Sequence, residues 1–430
     1  MQLAIHPSPN EWDALLQRPA KDFKALESSV RAVMQDVKNR GDAALREYTH
    51  RFDGVELSDF KVASEEIAAA LKAVPAELLA AIEVAITNVK RFHRAQIQEP
   101  VAIETMPGVV CWRKSVAIDK VGLYIPGGTA PLFSTVVMLA TPAQLAGCRE
   151  IILCTPPRKD GSVHPAILAA AHLCGVTQIF KIGGAQAIAA MTFGTATVPA
   201  VYKLFGPGNP YVTVAKQLAL NEGLAIDMPA GPSEVLVCAD EGAKPVFVAA
   251  DLLSQAEHGS DSQVVLVTFS EAQAQAIMNE VNRLLATLPR KEMAADSIKN
   301  SVAIVVEDEA TAAAVINTYA PEHLILSMSN AKAFSHHITN AGSIFLGYLT
   351  PESVGDYASG TNHTLPTYGY AKQYSGVSLD SFVKKITFQE LSAEGLRNLG
   401  PSVMTMAAAE ELEAHRLAVE LRLNKMPDYA

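Results

Sequence analysis

The sequence predicts an α/β protein with two incomplete doubly wound, Rossmann-like parallel-sheet domains and helical arms at its N- and C-termini. Three observations predict it. Short apolar runs alternate with helical segments from Val121 onward, the alternation restarts near Val235, and it stops after Leu379. Continuous apolar strands separated by helices belong to sheets covered on both faces. At 430 residues the chain exceeds what one compact core holds, so two or three domains are expected.

The elements follow in order. MQLAIHPSPNEWD lacks a basic stretch leading into an apolar core, so no secretory signal is read there. After Pro75, which suits a first helical turn, Leu78, Leu79, Ile82, Ile86, Val89 and Phe92 recur at helical spacing. VGLYIPGG, IILCTPP, QIFKIGG and VYKLFGPGN read as strands, each handing over to an alanine-rich or amphipathic helix. VLVCAD, VVLVTF, VAIVVED, HLILSM and SIFLG form the second set. TPESVGDYASGTNHTLPTYGY reads as a long polar loop, and the stretch from FQELSAEG onward as helical apart from a break at Gly400-Pro401. The expected division is an N-terminal arm over 1–23, a large α/β domain from 24–122 and 235–377, a second α/β domain over 123–234, and a C-terminal helical arm over 378–430.

Composition excludes several function classes. Hydrophobic residues make up 49% and charged residues 19%, which excludes a largely disordered chain. A net charge of -10 leaves no basic surface for nucleic acid. The apolar stretch near Val136 is interrupted by Thr141, Pro142 and Gln144, too soon to span a bilayer. Neither nucleic acid nor a membrane is therefore expected as a partner. Cys111, Cys148, Cys154, Cys174 and Cys238 form no C-x-x-C pair, and their odd count fits a reducing, cytoplasmic compartment. At least four are expected to be small buried apolar residues.

Four segments carry residues able to do chemistry. Gln255 and His258, in SQAEHG, are three apart and share a helical face, where they could bind one metal; a helix-end histidine explains them as readily. Glu322 and His323, in APEHL, offer a carboxylate and an imidazole as two bases of different pKa, though most such dipeptides are solvated surface. Asp356 and His363 lie in the long polar loop, and an ordinary inter-domain connection explains its glycines but not these two side chains. His415 follows Glu410 and Glu411 in a helical piece that alone reads as a solvated face. Gly206 and Gly208 follow a strand, but Tyr211 occupies the third glycine position of the dinucleotide fingerprint. YIPGG, KIGGAQA and FGPGN still mark strand-to-helix turns, where phosphate-bearing ligands bind, so the spacing leaves a nucleotide open.

Taken together, VGLYIPGGTAPLFSTV, IGGAQAIAA, FGPGN, DMPAGPSEVLV, DLLSQAEHG, APEHL, GDYASGTNHTLPT and AAAEELEAH resemble histidinol dehydrogenases in order and spacing, from about Arg31 to the end. The resemblance implies oxidation of L-histidinol through its aldehyde to L-histidine, with two NAD reduced. It implies one zinc per subunit, held by Gln255, His258, Asp356 and His415, with Glu322 and His323 as the catalytic pair. Substrate contacts fall on Ser233, Gln255, His258, Glu322, His323, Asp356, His363, Glu410 and His415, and NAD contacts on Tyr124, Gln186 and Asn209. It further implies a homodimer with shared active sites, its C-terminal arms exchanged. Two departures are visible: Thr129 where the family carries serine, and Pro210 directly after GPGN. A zinc hydrolase, a cysteine-dependent aldehyde dehydrogenase and a catalytically silent metal-binding module are the rival readings.

Overall fold

In the computed structural model the described residues are 1–19, 23–127, 130–229 and 231–425, so Thr129 lies outside them. They form two units, one of Met1–Ala95 with Ile118–Phe382 and one of Gln96–Ala117 with Val383–Ala430.

The first unit holds two parallel sheets. One runs Gln178–Lys181, Glu150–Thr155, Lys120–Tyr124, Lys203–Phe205, Ala225–Ile226 across its width. The other runs Gln2–Ile5, Val302–Val305, Gln263–Thr268, Glu234–Ala239, His323–Ser327, Ser343–Leu346. Apart from Gln2–Ile5, both sheets carry their strands in the same order, third-second-first-fourth-fifth, the order of an incomplete doubly wound fold. All nine apolar runs read from the sequence are among these strands.

Successive side chains along each strand enter opposite cores. In the five-stranded sheet Val121, Leu123, Ile151 and Leu153 meet the helix Phe133–Ala146 on one side. Tyr124, Ile152, Cys154 and Phe180 meet the helices Phe23–Arg40 and Gly184–Phe193 on the other. In the six-stranded sheet Leu236, Cys238, Val265 and Leu324 face the helix Glu309–Tyr319, while Val235, Val237 and Val264 face the helix Pro245–Ala256. Each of these 15 strand side chains is at most 2% exposed, and burying a large apolar side chain contributes about 1.5–3 kcal/mol.

Five expectations change. The N-terminal arm begins as a strand on the six-stranded sheet, and Trp12 and Leu16 are buried in that sheet's core. The helices of 23–94 share cores with the five-stranded sheet, not with the larger domain expected to own 24–122. The polar loop contains a helix, Glu352–Tyr357. In the second unit Val383–Leu391 is a strand, paired antiparallel with Val109–Ala117, and Trp112 stacks on Phe388 at 5.3 Å. Exposure of most of that strand removes the two-residue burial alternation that would have revealed it. Pro401 lies inside the helix Ala393–Ala409 without breaking it, because Gly400 has no Cβ to collide with the proline ring.

Pro210 opens the helix Pro210–Asn221, where a missing N–H costs nothing. The turn before it is held from both sides, by Asp227 accepting the N–H of Gly206 at 2.8 Å and Lys216 donating to its C=O at 2.8 Å. Gly206 has φ 123°, and a Cβ there would meet the backbone oxygen of Tyr124. Among the described residues no helix is long and apolar enough to cross a membrane.

Candidate active site

The helix Pro245–Ala256 leaves the carboxyl end of Glu234–Ala239 and runs back along the sheet, delivering Gln255 and then His258 to the amino-terminal edge. His323 stands at that edge too, opposite Val235 in the parallel ladder. Doubly wound sheets usually bind ligands at the other edge. Ser233 immediately precedes the Glu234 strand and belongs to the same edge.

The backbone of one residue holds the carboxylate–imidazole pair. Glu322 Oε2 accepts the backbone N–H of Glu234 at 2.8 Å, and His323 Nδ1 donates to the backbone C=O of Glu234 at 3.1 Å. A carbonyl can only accept, so a hydrogen sits on Nδ1 and Nε2 is the position that gains or loses a proton. Glu322 Oε2 is 3.5 Å from His323 Nδ1, and Asp356 Oδ1 is 3.3 Å from His323 Nε2. Glu322 and His323 are 7% and 3% exposed, which excludes the solvated-surface reading. Ala320, two residues upstream, adopts a left-handed φ of 52°, the kind of strain that clusters at functional positions.

Burial and charge compete here. Desolvation works against a charged His323, yet the charge of Glu322 and the hydrogen bond to Asp356 prevail and hold the imidazole pKa well above its usual value. Desolvation, with a smaller contribution from the charge of Glu234, pushes Glu322 up, partly countered by the charge and hydrogen bond of His323. Asp356 is also desolvated, but its hydrogen bond to His323 and the surrounding imidazoles bring it below the usual carboxylate range. Desolvation lowers His363.

The segment after Thr350 is laid against the five-stranded sheet's helices. Asn362 Nδ2 donates to the Met138 carbonyl at 2.6 Å and Asn88 Nδ2 to the Ala358 carbonyl at 2.8 Å. His363 Nδ1 donates to the Asp356 carbonyl at 2.8 Å and Nε2 accepts from Thr135 Oγ1 at 3.2 Å. Gln255, 1% exposed, donates through Nε2 to Glu352 Oε1 at 2.5 Å, while its Oε1 is buried without a hydrogen-bond partner. Asp356 Oδ1 likewise makes no well-directed hydrogen bond. Desolvation raises the Glu352 carboxyl. His258 is exposed just beyond the helix end. Among the described residues no three His, Cys, Asp or Glu side chains form a cation cage.

A second site lies at the carboxyl edge of the five-stranded sheet. A cavity of about 1060 Å³ is lined there by Tyr124, Thr155, Gln186 and Asn209 among others. The Tyr124 hydroxyl accepts the Gly184 N–H at 3.0 Å, and Asn209 caps the helix Pro210–Asn221 by accepting the Val212 N–H at 3.1 Å. Both amide atoms of Gln186 and the Thr155 hydroxyl are buried without partners. The helix Phe133–Ala146 links this cavity to the first cluster: Ala130 and Pro131, just before it, line the cavity, and its Thr135 touches His363.

Histidinol dehydrogenase is the description of the family model that matches residues 16–423. The histidinol dehydrogenase of Bacteroides thetaiotaomicron is 58% identical over 426 residues, covering 99% of this chain and 100% of its relative. The chain belongs to the histidinol dehydrogenase family, a family of oxidoreductases. The Escherichia coli K12 member is 52% identical over 419 residues, covering 97% and 96% of the two chains. The crystal structure of the Elizabethkingia anophelis member matches with a TM-score of 0.97 at 54% identity, covering 99% of each chain.

Of the site residues expected from the family, Gln255, Asp356 and His363 gather with Glu322 and His323, while Tyr124, Gln186 and Asn209 share the cavity. Glu410 and His415 belong to the second unit, where both are exposed. Glu352 and Glu234 escaped the sequence reading. Each left a signal: a charged residue opening the apolar run EVLVCA, and a second carboxylate four residues before Asp356. Four of the five cysteines are buried, as expected, and none is disulfide-bonded. Burial pushes Cys148 and Cys174 up to about 12 and Cys154 and Cys238 higher still, which leaves no activated thiolate among those four for a cysteine-dependent mechanism.

Proposed function

We propose that this chain oxidises L-histidinol through L-histidinaldehyde to L-histidine, with zinc bound and two NAD reduced per turnover. The observation that carries the reading is the Glu322–His323 pair: Nδ1–H is fixed on the Glu234 carbonyl, which leaves Nε2, 3.3 Å from Asp356 Oδ1, as the nitrogen that exchanges a proton. His323 Nε2 takes the hydroxyl proton as the alcohol gives up its hydride. Glu322 then takes a proton from the water that adds to the aldehyde, and His323 accepts the second hydroxyl proton as the hydrate is oxidised. An imidazole held protonated cannot do this. Engaging Asp356 as a metal ligand withdraws one of the groups that keep His323 charged.

The donors fit a zinc site. Gln255 Oε1 and Asp356 Oδ1 are buried oxygens without a well-directed hydrogen bond, and with His258 they make an all-N/O set that suits zinc and accepts manganese or cobalt. Such a cation would orient the substrate's imidazole and amino nitrogens and hold the aldehyde. Tyr124, Gln186 and Asn209 would hold the dinucleotide that accepts hydride, and Gln186's partnerless amide supports this. His415 and Glu410, exposed in the second unit, would complete the substrate site of a second subunit in a homodimer. Five unpaired cysteines fit the cytoplasm.

The test supplies histidinol and NAD and follows NADH absorbance, with chelation and metal add-back. NADH formation that stops on chelation and returns with zinc supports the reading. Metal-dependent hydrolysis without NADH would favour the zinc hydrolase, and zinc binding without turnover the silent module.

A further inference from the structure

Glu234 does more than lend its peptide to Glu322 and His323. Its carboxylate, 2% exposed, is gripped by Arg18, whose Nε and NH2 donate to its two oxygens at 2.6 and 2.8 Å. The Tyr368 N–H donates to the same carboxylate at 2.8 Å, from a residue held at a left-handed φ of 57°. Arg18 NH2 also donates to the Tyr319 carbonyl at 2.7 Å, and its guanidinium lies 4.0 Å over the Tyr319 ring. Tyr319 ends the helix that leads into Ala320, Pro321 and Glu322. Arg18 therefore grips both approaches to the pair, the start of the Glu234 strand and the end of the helix before Glu322. The Tyr368 hydroxyl donates to the Pro19 carbonyl, fastening this N-terminal segment from its other side.

We infer that Arg18 is a positioning residue for the Glu322–His323 pair, acting through the Glu234 carboxylate to fix the peptide that sets the His323 tautomer. The inference rests on reading that pair as the reacting groups. A planar fork fits a carboxylate in two places where an ammonium makes one contact, so lysine cannot fully replace it. The functional consequence is that the first 19 residues, far from the pair in sequence, determine its geometry.

The experiment compares Arg18→Lys, Arg18→Ala and Glu234→Gln with wild type, in the zinc-loaded enzyme, using histidinol. Arg18→Ala is expected to lower kcat about tenfold to a hundredfold with KM changed less than about threefold, since a misplaced base costs turnover more than binding. Arg18→Lys, which keeps the buried charge and thus the fold, falls between; Glu234→Gln, which keeps the shape and one acceptor oxygen but turns an NH2 toward an Arg18 donor, also lowers kcat. Millimolar guanidinium restores part of the Arg18→Ala rate. In ¹⁵N-histidine-labelled protein the hydrogen-bonded Nδ1–H signal of His323 broadens or disappears in Arg18→Ala. A lysine variant with wild-type kcat and an unchanged Nδ1–H signal overturns the inference, whether or not the alanine variant folds. Glu322→Gln and His323→Asn run alongside. If those two stay active, the reading of the pair fails; if they lose activity while the Arg18 variants do not, only the positioning role fails.

Discussion

Glu352 accepts a 2.5 Å hydrogen bond from Gln255 Nε2, and both side chains are 1% exposed. The contact fixes which end of the Gln255 amide faces the site. With Nε2 engaged, Oε1 points away as an oxygen donor that nothing in the protein satisfies. Groups that orient a metal ligand are worth about 10–100-fold in metal affinity. Glu352→Leu should therefore weaken zinc binding by about that factor in chelator competition, with helical circular dichroism unchanged. Wild-type affinity in a folded variant would remove Glu352 from this role.

Metal removal should abolish turnover and leave the fold standing. Gln255 hangs on an element whose core is already closed, since its helix packs Val248, Ala249 and Leu252 against the six-stranded sheet. Chelated protein should keep its circular dichroism and regain activity with zinc, manganese or cobalt. Full activity after verified metal removal would contradict the proposed zinc requirement.

Much of this was legible in the sequence because parallel strands advertise themselves. VLVCAD and VVLVTF are buried on both faces, and buried strands are continuous apolar runs. Val383–Leu391 is exposed along most of its length, so its pairing with Val109–Ala117 left no such pattern. The four site segments were visible as residue types, but the packing that brings the segments of Gln255, His323 and Asp356 together was not. That Gln255 and His323 meet at one sheet edge depends on a helix running back beneath its own strand. The Arg18–Glu234 contact joins residues 216 positions apart, which periodicity cannot report.

Glu322→Gln should separate the two half-reactions. Gln keeps an oxygen to accept the Glu234 N–H, so the local fold survives, but it cannot take a proton from water. Oxidation of histidinaldehyde should fall by about a hundredfold or more, and oxidation of the alcohol much less. The check supplies the two substrates separately; equal losses would assign Glu322 elsewhere.

His323→Asn should slow both halves, by about 10²–10⁴-fold, because each hydride step releases a hydroxyl proton. The sign of the pH effect follows from the raised His323 pKa: its proton-accepting form gains population as pH rises, so wild-type kcat should climb on the alkaline side. In the variant, hydroxide from solvent replaces the base, so residual activity should also rise with pH. A near-normal rate with a flat profile would take His323 out of the mechanism.

The last prediction concerns Glu410 and His415. Both are exposed in a unit other than the one that holds Glu322, His323 and Asp356, as an arm exchanged between two-fold related subunits would leave them. Two inactive variants, His258→Asn and His415→Asn, are unfolded, mixed and refolded together. If His258 and His415 serve one site from different chains, each mixed dimer contains one site with both lesions and one intact site. Random mixing makes half of the dimers mixed, so about one quarter of wild-type activity should return. If both residues come from the same chain, every site carries a lesion and nothing returns. Mixed dimers verified by mass spectrometry but devoid of activity would rule out the exchanged arm.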